Sequence, residues 1–272
     1  MRLMHSLSVV ALSGLCLVGC GAHDLGGDEI ASQIEQDFGG PSGLMDFFES
    51  HSEEEIQRAL APYGVGFKIH TPVELQQQGV EAFGAGDVNA ALITDCPQYF
   101  PSGDRNIWHS LNGEYYFIED SGRPHRAYSY LPPIAAEVRN ETCQGYVGQW
   151  GDAANPSNDY DGGHLIGSQL GGWGKRANLV PQDANFNRGN WAVLENKMAK
   201  CAALPNGRMR YYIGANYPNS TTLIPHNMTM ELRNQSSGAS VLLSFENTDY
   251  GGTNGTNEKN RGVTFLTNQG CN

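Results

Sequence analysis

Three short polar elements lie within a span of 35 residues, and they constrain the fold of this chain more than any other feature. In order they are Asp161-Gly-Gly-His-Leu, Asn178-Leu-Val-Pro-Gln and Asn187-Arg-Gly-Asn-Trp-Ala-Val-Leu-Glu. The short apolar run His164–Ser168, which follows a pair of glycines, predicts a strand. Apolar residues at helical spacing predict a helix over Asn187–Cys201. The expected order is therefore strand, loop, helix.

The side chains of these elements suit the hydrolysis of a phosphodiester bond. That reaction needs a base to deprotonate the attacking water and a cation for the charge that develops. His164, at a strand end behind two glycines, can be the base if its second ring nitrogen is held in one tautomer. Mg²⁺ accepts a neutral amide oxygen and keeps several waters. Asn187 and Glu195 lie about 80° apart around a helix of ~100° per residue, so both can face one cation.

This spacing resembles the DNA/RNA non-specific endonuclease family of the ββα-metal (His-Me finger) superfamily. Its members carry Asp-Arg-Gly-His, then Asn-x-x-Pro-Gln, then Asn-x-Gly-x-Trp-x-x-Leu-Glu. The second and third elements match this chain residue for residue at Asn178, Pro181, Gln182, Asn187, Gly189, Trp191, Leu194 and Glu195. The resemblance covers residues 105–215 and leaves residues 21–100 unexplained.

The resemblance implies a role for each polar side chain. His164 would be the general base, Asn187 the direct metal ligand and Glu195 a group that acts on the metal through water. Asn178 would orient the histidine or the site, and Asp161 would brace the histidine strand. The metal would be Mg²⁺, with Mn²⁺ as an alternative. The substrate would be DNA, RNA or both, bound through phosphates, and cleavage would leave 5′-phosphate ends.

One position departs from the family. Gly162 stands where the family has arginine, and this is similar to an Asp-x-Gly-His branch found in bacterial secreted toxins and competence-type nucleases. Other features that fit the branch are Leu165-Ile166, Gly171-Gly172 and Arg188. Another cation must then stabilise the pentacovalent phosphate, with Arg188 as the first candidate and Arg123 as the second. The expected catalytic set is His164, Asn178, Glu195 and Arg188.

Taken singly, these residues have more common structural roles. A histidine beside glycines is usually structural, an asparagine such as Asn187 often caps a helix, and Glu195 would be an exposed helix residue. Trp191 and Leu194 are expected in the core. The nearby basic residues are either solvated or form a track for phosphates; they are Lys175, Arg176, Lys197 and Lys200. No role is assigned to His109, His125 or His226.

The formal net charge of −12 argues against a nucleic-acid partner, but the charge is unevenly spread. Residues 21–66 hold ten acidic residues and one basic residue, whereas residues 159–212 hold seven basic and four acidic residues. A local positive groove is enough to hold a phosphate backbone. We interpret the acidic segment as solvated helix surface, with shielding of the cleft or mimicry of nucleic acid as alternatives.

The first twenty residues are typical of an export signal. Arg2 precedes an apolar stretch, Leu7–Val18, that is too short to span a membrane. Leu17-Val18-Gly19-Cys20 resembles a bacterial lipobox, so Cys20 is expected to carry lipid and to tether the protein to a membrane. The alternative is an ordinary signal peptide cut near Gly21 or Ala22. The expected location is the outer membrane or cell surface, with the periplasm or the extracellular space as alternatives.

Four cysteines remain beyond the leader: Cys96, Cys143, Cys201 and Cys271. An even number in an exported protein predicts two disulfides, with three possible pairings. The four are far apart and form no Cys-x-x-Cys pair, which argues against a zinc site.

The chain divides by composition into a leader (1–20), an acidic and mostly helical region of unknown role (21–104) and the expected nuclease domain (105–272). We expect an α+β fold with a mainly antiparallel sheet. Predicted helices cover 28–62, with a capping box at Ser52, and 72–83. Predicted strands cover 115–118, 125–131, 209–213 and 240–245. Residues 144–161 and 247–264, rich in Gly, Asn and Asp, are predicted to be loops.

Two other functions fit the same residues. One is an antibacterial nuclease toxin with the same chemistry, which a neighbouring immunity protein would favour and the lipobox argues against. The other is a catalytically inactive lipoprotein that binds nucleic acid. Loss of His164 or Asn187 would have indicated the inactive protein, and both residues are present.

Overall fold

The computed structural model describes residues 27–70, 95–111, 113–131, 139–201 and 209–271. The leader, Cys20 and the helix expected over residues 72–83 lie outside the described residues. Among the residues that are described, no helix has the length and apolar composition needed to cross a lipid bilayer.

A seven-stranded sheet organises the molecule, in the order β1-β2-β3-β4-β7-β8-β9. Its strands are β1 (Gly66–His70), β2 (Ile107–Leu111), β3 (Glu114–Ile118), β4 (Pro124–Leu131), β7 (Met209–Asn216), β8 (Asn227–Asn234) and β9 (Ser240–Glu246). Neighbours are antiparallel except β1 and β2, which are parallel. A separate antiparallel hairpin joins β5 (Tyr160–His164) to β6 (Leu179–Asp183). The predicted antiparallel α+β architecture and its four strands are confirmed.

Six helices accompany the strands in the described ranges. They are α1 (Gly27–Asp37), α2 (Pro41–Ser50), α3 (Glu53–Leu60), α4 (Glu141–Ala154), α5 (Ala192–Cys201) and α6 (Gly255–Asn268). One turn of helix, Ala184–Phe186, and a π-helical turn, Asn187–Trp191, lead into α5. The capping box expected at Ser52 is present: its hydroxyl accepts from Glu55 N, and the Glu55 carboxylate accepts from Ser52 N.

The sheet separates two apolar cores, because alternate side chains of each strand point to opposite faces. Along β3, Tyr116 and Ile118 belong to the core that also holds Leu165 and Trp191. The intervening Phe117 belongs to a second core, which it shares with the buried residues of α1, α2 and α3. The result is three layers, with the N-terminal helices on one face of the sheet and the β5–β6 hairpin with α5 on the other.

The acidic N-terminal helices are tied to the sheet by ion pairs. Arg210 lies 2.5 Å from Asp46, and Arg126 lies 2.9 Å from Glu35. Because α1, α2 and α3 lie on the face opposite His164, the alternative that these helices shield the cleft is wrong.

Two predicted loops are helices instead. Residues 141–154 form α4, whose glycines allow close packing rather than a turn: a Cβ at Gly148 would lie 2.6 Å from Tyr160 O, and one at Gly151 would lie 2.6 Å from the Tyr160 side chain. Residues 255–268 form α6, where Leu266 is fully buried although most of the segment is polar. At both places, the richness in Gly, Asn and Asp led to a wrong prediction of a loop.

The four cysteines form two disulfides, as predicted, and the structure selects one of the three pairings. Cys96 pairs with Cys143 at the start of α4, and Cys201 pairs with Cys271. The second bond joins the end of α5 to the residues just after α6.

Candidate active site

The histidine element lies at the end of the β5–β6 hairpin. β5 ends at His164 rather than beginning there, so the predicted strand over His164–Ser168 is wrong. The chain leaves the strand because its next backbone groups bond elsewhere: Leu165 N donates to Asn178 O (2.9 Å), and the Tyr211 hydroxyl donates to Leu165 O (2.7 Å). His164 therefore sits where a rigid strand meets a pinned turn.

Asn178 is a positioning residue and not a substrate ligand. Its side-chain oxygen accepts from Ile166 N (2.8 Å), and its nitrogen donates to Ile166 O (2.8 Å) and Trp173 O (2.9 Å). It is fully buried. The amide thus holds the segment after His164 in place.

Asp161 joins the first and third elements. Its carboxylate accepts from Asn187 Nδ2 (2.9 Å) and from Arg188 Nε (2.9 Å) and Nη2 (2.5 Å). The helix cap is supplied by Asp183, whose carboxylate accepts from Phe186 N, so Asn187 is not a cap. Contact with Asp161 leaves Asn187 Oδ1 without a partner among the described residues, open to a cation or a water.

The helix after Asn187 is not regular. Asn187–Trp191 is π-helical, and Gly189 has non-helical angles (φ −100, ψ −108). The 80° separation expected between Asn187 and Glu195 assumed a straight α-helix, so that estimate does not apply. Trp191 and Leu194 are fully buried, which confirms their expected place in the core.

His164 is neutral and nearly enclosed. Burial lowers its pKa to about 4, with the positive charge of Arg139 as a second cause. Its Nδ1 lies 3.4 Å from Gln144 Nε2, and its Nε2 has no partner in the described part of the chain. The imidazole is therefore in the unprotonated form that a general base requires.

Glu195 carries a second buried atom without a hydrogen-bond partner among the described residues. The residue is half-buried, but its Oε1 is enclosed and accepts no hydrogen bond from a described residue. Burial raises the pKa of this carboxyl to about 7, while Arg139 acts in the opposite direction. Its carboxylate packs on Gly167, because a Cβ there would lie 2.7 Å from Glu195 Oε1.

A cavity of about 420 Å³ opens between α4 and β5. Its wall includes Arg139, Gln144, Asp161, Asn187 and Arg188. Neither His164 nor Glu195 is part of that wall.

Several basic residues differ from their expected roles. Arg123 is buried beside Glu119 (2.6 Å) and donates to two backbone carbonyls, so it cannot reach the cavity. Arg176 is fully buried and donates to Leu179 O, so its expected place on a phosphate track is wrong. Arg139 and Gln144, which do line the cavity, lie outside the three motifs and gave no signal in the sequence.

The donor set fits a hard cation rather than a caged transition metal. In the ranges that the structure covers, no three His, Cys, Asp or Glu side chains come together as a metal cage. The oxygen donors are instead one amide oxygen on Asn187, in the cavity wall, and one enclosed carboxylate oxygen on Glu195, outside that wall. Mg²⁺ binds such sparse sites because it keeps most of its waters.

Comparison with known protein families gives a match for part of the chain. Residues 105–236 match the family model described as DNA/RNA non-specific endonuclease. Among solved structures, NucA from Streptococcus agalactiae with magnesium ion bound is similar at 22% identity and a TM-score of 0.38, over 50% of this chain and 72% of that one. The same protein with no metal bound is similar at 20% identity and a TM-score of 0.38, over 65% of this chain and 90% of that one. Residues 105–236 therefore form a nuclease domain of the DNA/RNA non-specific endonuclease family.

Proposed function

We propose that this chain is a metal-dependent, sequence-non-specific endonuclease that hydrolyses phosphodiester bonds of DNA, RNA or both. The observation that supports the proposal is that β5 carries both His164, whose buried Nε2 has no partner among the described residues, and Asp161, whose carboxylate holds Asn187. The reaction requires a base and a ligand for a cation.

His164 would take the proton of the attacking water. A bond forms between the water oxygen and phosphorus, and the bond from phosphorus to the 3′-oxygen breaks. The proton of the water passes to His164, and the departing 3′-oxygen takes up a proton from solvent. The products are a 5′-phosphate and a 3′-hydroxyl. A pKa of about 4 keeps His164 unprotonated at neutral pH, so the base is ready at each turnover.

Asn187 and Glu195 would hold the cation, which we propose to be Mg²⁺ with Mn²⁺ as a substitute. Asn187 would ligate it through Oδ1, because Asp161 fixes the amide nitrogen, and Glu195 would act through water. When bound, the ion supplies a Lewis acid for the phosphate and the 3′-oxygen. The substrate is held through its phosphates, so little sequence preference is expected.

The direct test is cleavage of supercoiled plasmid and of a structured RNA by the purified chain. With Mg²⁺ or Mn²⁺ we expect nicking and then fragments with 5′-phosphate ends, and with EDTA no cleavage. Plasmid and RNA that both stay intact with either ion would refute the enzyme and favour the inactive nucleic-acid-binding protein.

Glu195→Gln is expected to stabilise the metal-free protein at high pH. The folded state raises the pKa of Glu195 from 4.5 to about 7, so its favourable contribution is complete below pH 4.5 and is lost as pH rises through about 7. A shift of this size corresponds to on the order of 3 kcal/mol. In EDTA, the variant should unfold at a higher temperature than wild type at pH 8 and at the same temperature at pH 4.5.

Magnesium provides the control for this experiment. Because a cation at Asn187 favours the ionised carboxylate of Glu195, Mg²⁺ at pH 8 should raise the melting temperature of wild type more than that of Glu195→Gln. Parallel melting curves for the two proteins across pH would contradict the burial of this carboxyl.

We further propose that the mature protein is exported and anchored by lipid on Cys20. The support is the Leu17-Val18-Gly19-Cys20 sequence at the end of the apolar stretch. Mass spectrometry of the N-terminal peptide should find a diacylated Cys20. An unmodified N-terminus at residue 21 or beyond would refute the anchor.

A further inference from the structure

The structure leaves no room for an arginine at Gly162. A Cβ there would lie 2.3 Å from Gln144 O and 2.6 Å from Gln144 Cα, both backbone atoms of α4. Helix backbone cannot move aside as a flexible side chain can. The cation that serves the phosphate must therefore reach the cavity from another part of the chain.

Arg188 meets the requirement for a cation only in part. It lies in the cavity wall and its guanidinium is exposed, but two of its nitrogens bond to the Asp161 carboxylate at 2.5 and 2.9 Å. The charge of Arg188 is therefore largely balanced before substrate arrives. Two of its five donor hydrogens are already used for a bidentate contact.

Arg139 lies in the same cavity wall and forms no ion pair with an acidic residue in the described ranges. Its Nε donates to Ser168 Oγ (2.9 Å), and its two terminal nitrogens bond to no other residue that the structure describes. Ser168 is buried and follows Gly167, on which the Glu195 carboxylate packs. The Ser168 contact thus fixes one edge of the guanidinium close to the metal-binding carboxylate and leaves the other edge for a ligand.

Arg139 and Glu195 contact the same turn, which follows His164 in the chain. Arg139 donates to Ser168, and the Glu195 carboxylate packs on Gly167. The charge of Arg139 also acts on the base, since it is a cause, after burial, of the lowered pKa of His164.

We propose that Arg139 is a catalytic residue that donates its terminal N–H groups to the non-bridging oxygens of the scissile phosphate, in place of the arginine that Gly162 excludes. This inference rests on the proposed endonuclease function. Planar guanidinium matches two phosphate oxygens at once, and its contact strengthens as negative charge grows on them.

Steady-state cleavage of a defined oligonucleotide with Mg²⁺ tests the proposal. Removal of one donor to developing charge costs on the order of 10²-fold in kcat, which is the loss we expect for Arg139→Gln. The Kd for the same oligonucleotide in EDTA should change less than about fivefold, because phosphate contacts elsewhere remain. Arg139→Lys should retain an intermediate kcat, and added guanidinium ion should partly restore Arg139→Gln.

Two controls separate this role from structural and purely electrostatic ones. Arg58→Gln removes the same charge from an exposed site on α3, in the opposite layer, and should leave kcat unchanged. Melting temperatures of all variants should match wild type. Arg139→Gln activity within twofold of wild type would overturn the inference, as would a loss in Kd equal to the loss in kcat. An inactive wild-type protein would instead refute the endonuclease function.

Discussion

Replacing His164 with alanine should lower kcat for plasmid cleavage by about 10³-fold, which is within the range for loss of a general base. The expectation follows from the neutral state of the buried imidazole and from its Nε2, which has no hydrogen-bond partner among the described residues. Binding of uncleaved substrate in EDTA should be nearly unchanged, because the histidine is enclosed and carries no charge for phosphates. The measurement is kcat and KM with Mg²⁺ in excess, together with Kd in EDTA.

The exposed His226 supplies the matched control, since His226→Ala removes an imidazole far along the chain from the three motifs. It should retain wild-type kcat. Because folded His164 is neutral above pH 4, its titration should cause no fall in wild-type kcat/KM near pH 6.5, the ordinary pKa of histidine, when saturating Mg²⁺ keeps Glu195 ionised. Cleavage by His164→Ala as fast as wild type would show that another group is the base.

The local chemistry of the site could be predicted because it follows from short-range sequence. Motif spacing placed His164, Asn187 and Glu195 on one hairpin–helix unit. The contact between Asp161 and Asn187 was not foreseen in detail, because Asp161 was expected to brace the strand. It accepts from the third element instead, which fixes the amide of Asn187.

The parts that could not be predicted depend on packing between distant segments. The glycines of α4 suggested a loop, because their use as contact surface is visible only once β5 lies against the helix. Arg139 and Gln144 enter the site through that same packing. The polar α6 has few apolar positions of its own, and it is held by buried Leu266 and by the Cys201–Cys271 bond.

Restoring the family arginine, by Gly162→Arg, should damage the protein rather than improve it. If the arginine were merely missing, its return should raise kcat. The structure predicts a lower kcat instead, because a Cβ at this position would lie 2.3 Å from the backbone oxygen of Gln144. Overpacking of this kind costs about 3 kcal/mol or more where helix backbone must shift. We expect a melting temperature lowered by several degrees and loss of most of the activity.

The fold also explains why Gly162→Arg should lose activity. Gln144 lies 3.4 Å from His164 Nδ1, so displacement of α4 removes the group that orients the base. Gly103→Arg is the matched control, since a Cβ at Gly103 meets nothing within 4 Å and the residue is exposed. That variant should melt and cleave as wild type does. A Gly162→Arg protein with unchanged stability and higher kcat would show that α4 yields to the side chain, and the position would then be open to the family's arginine.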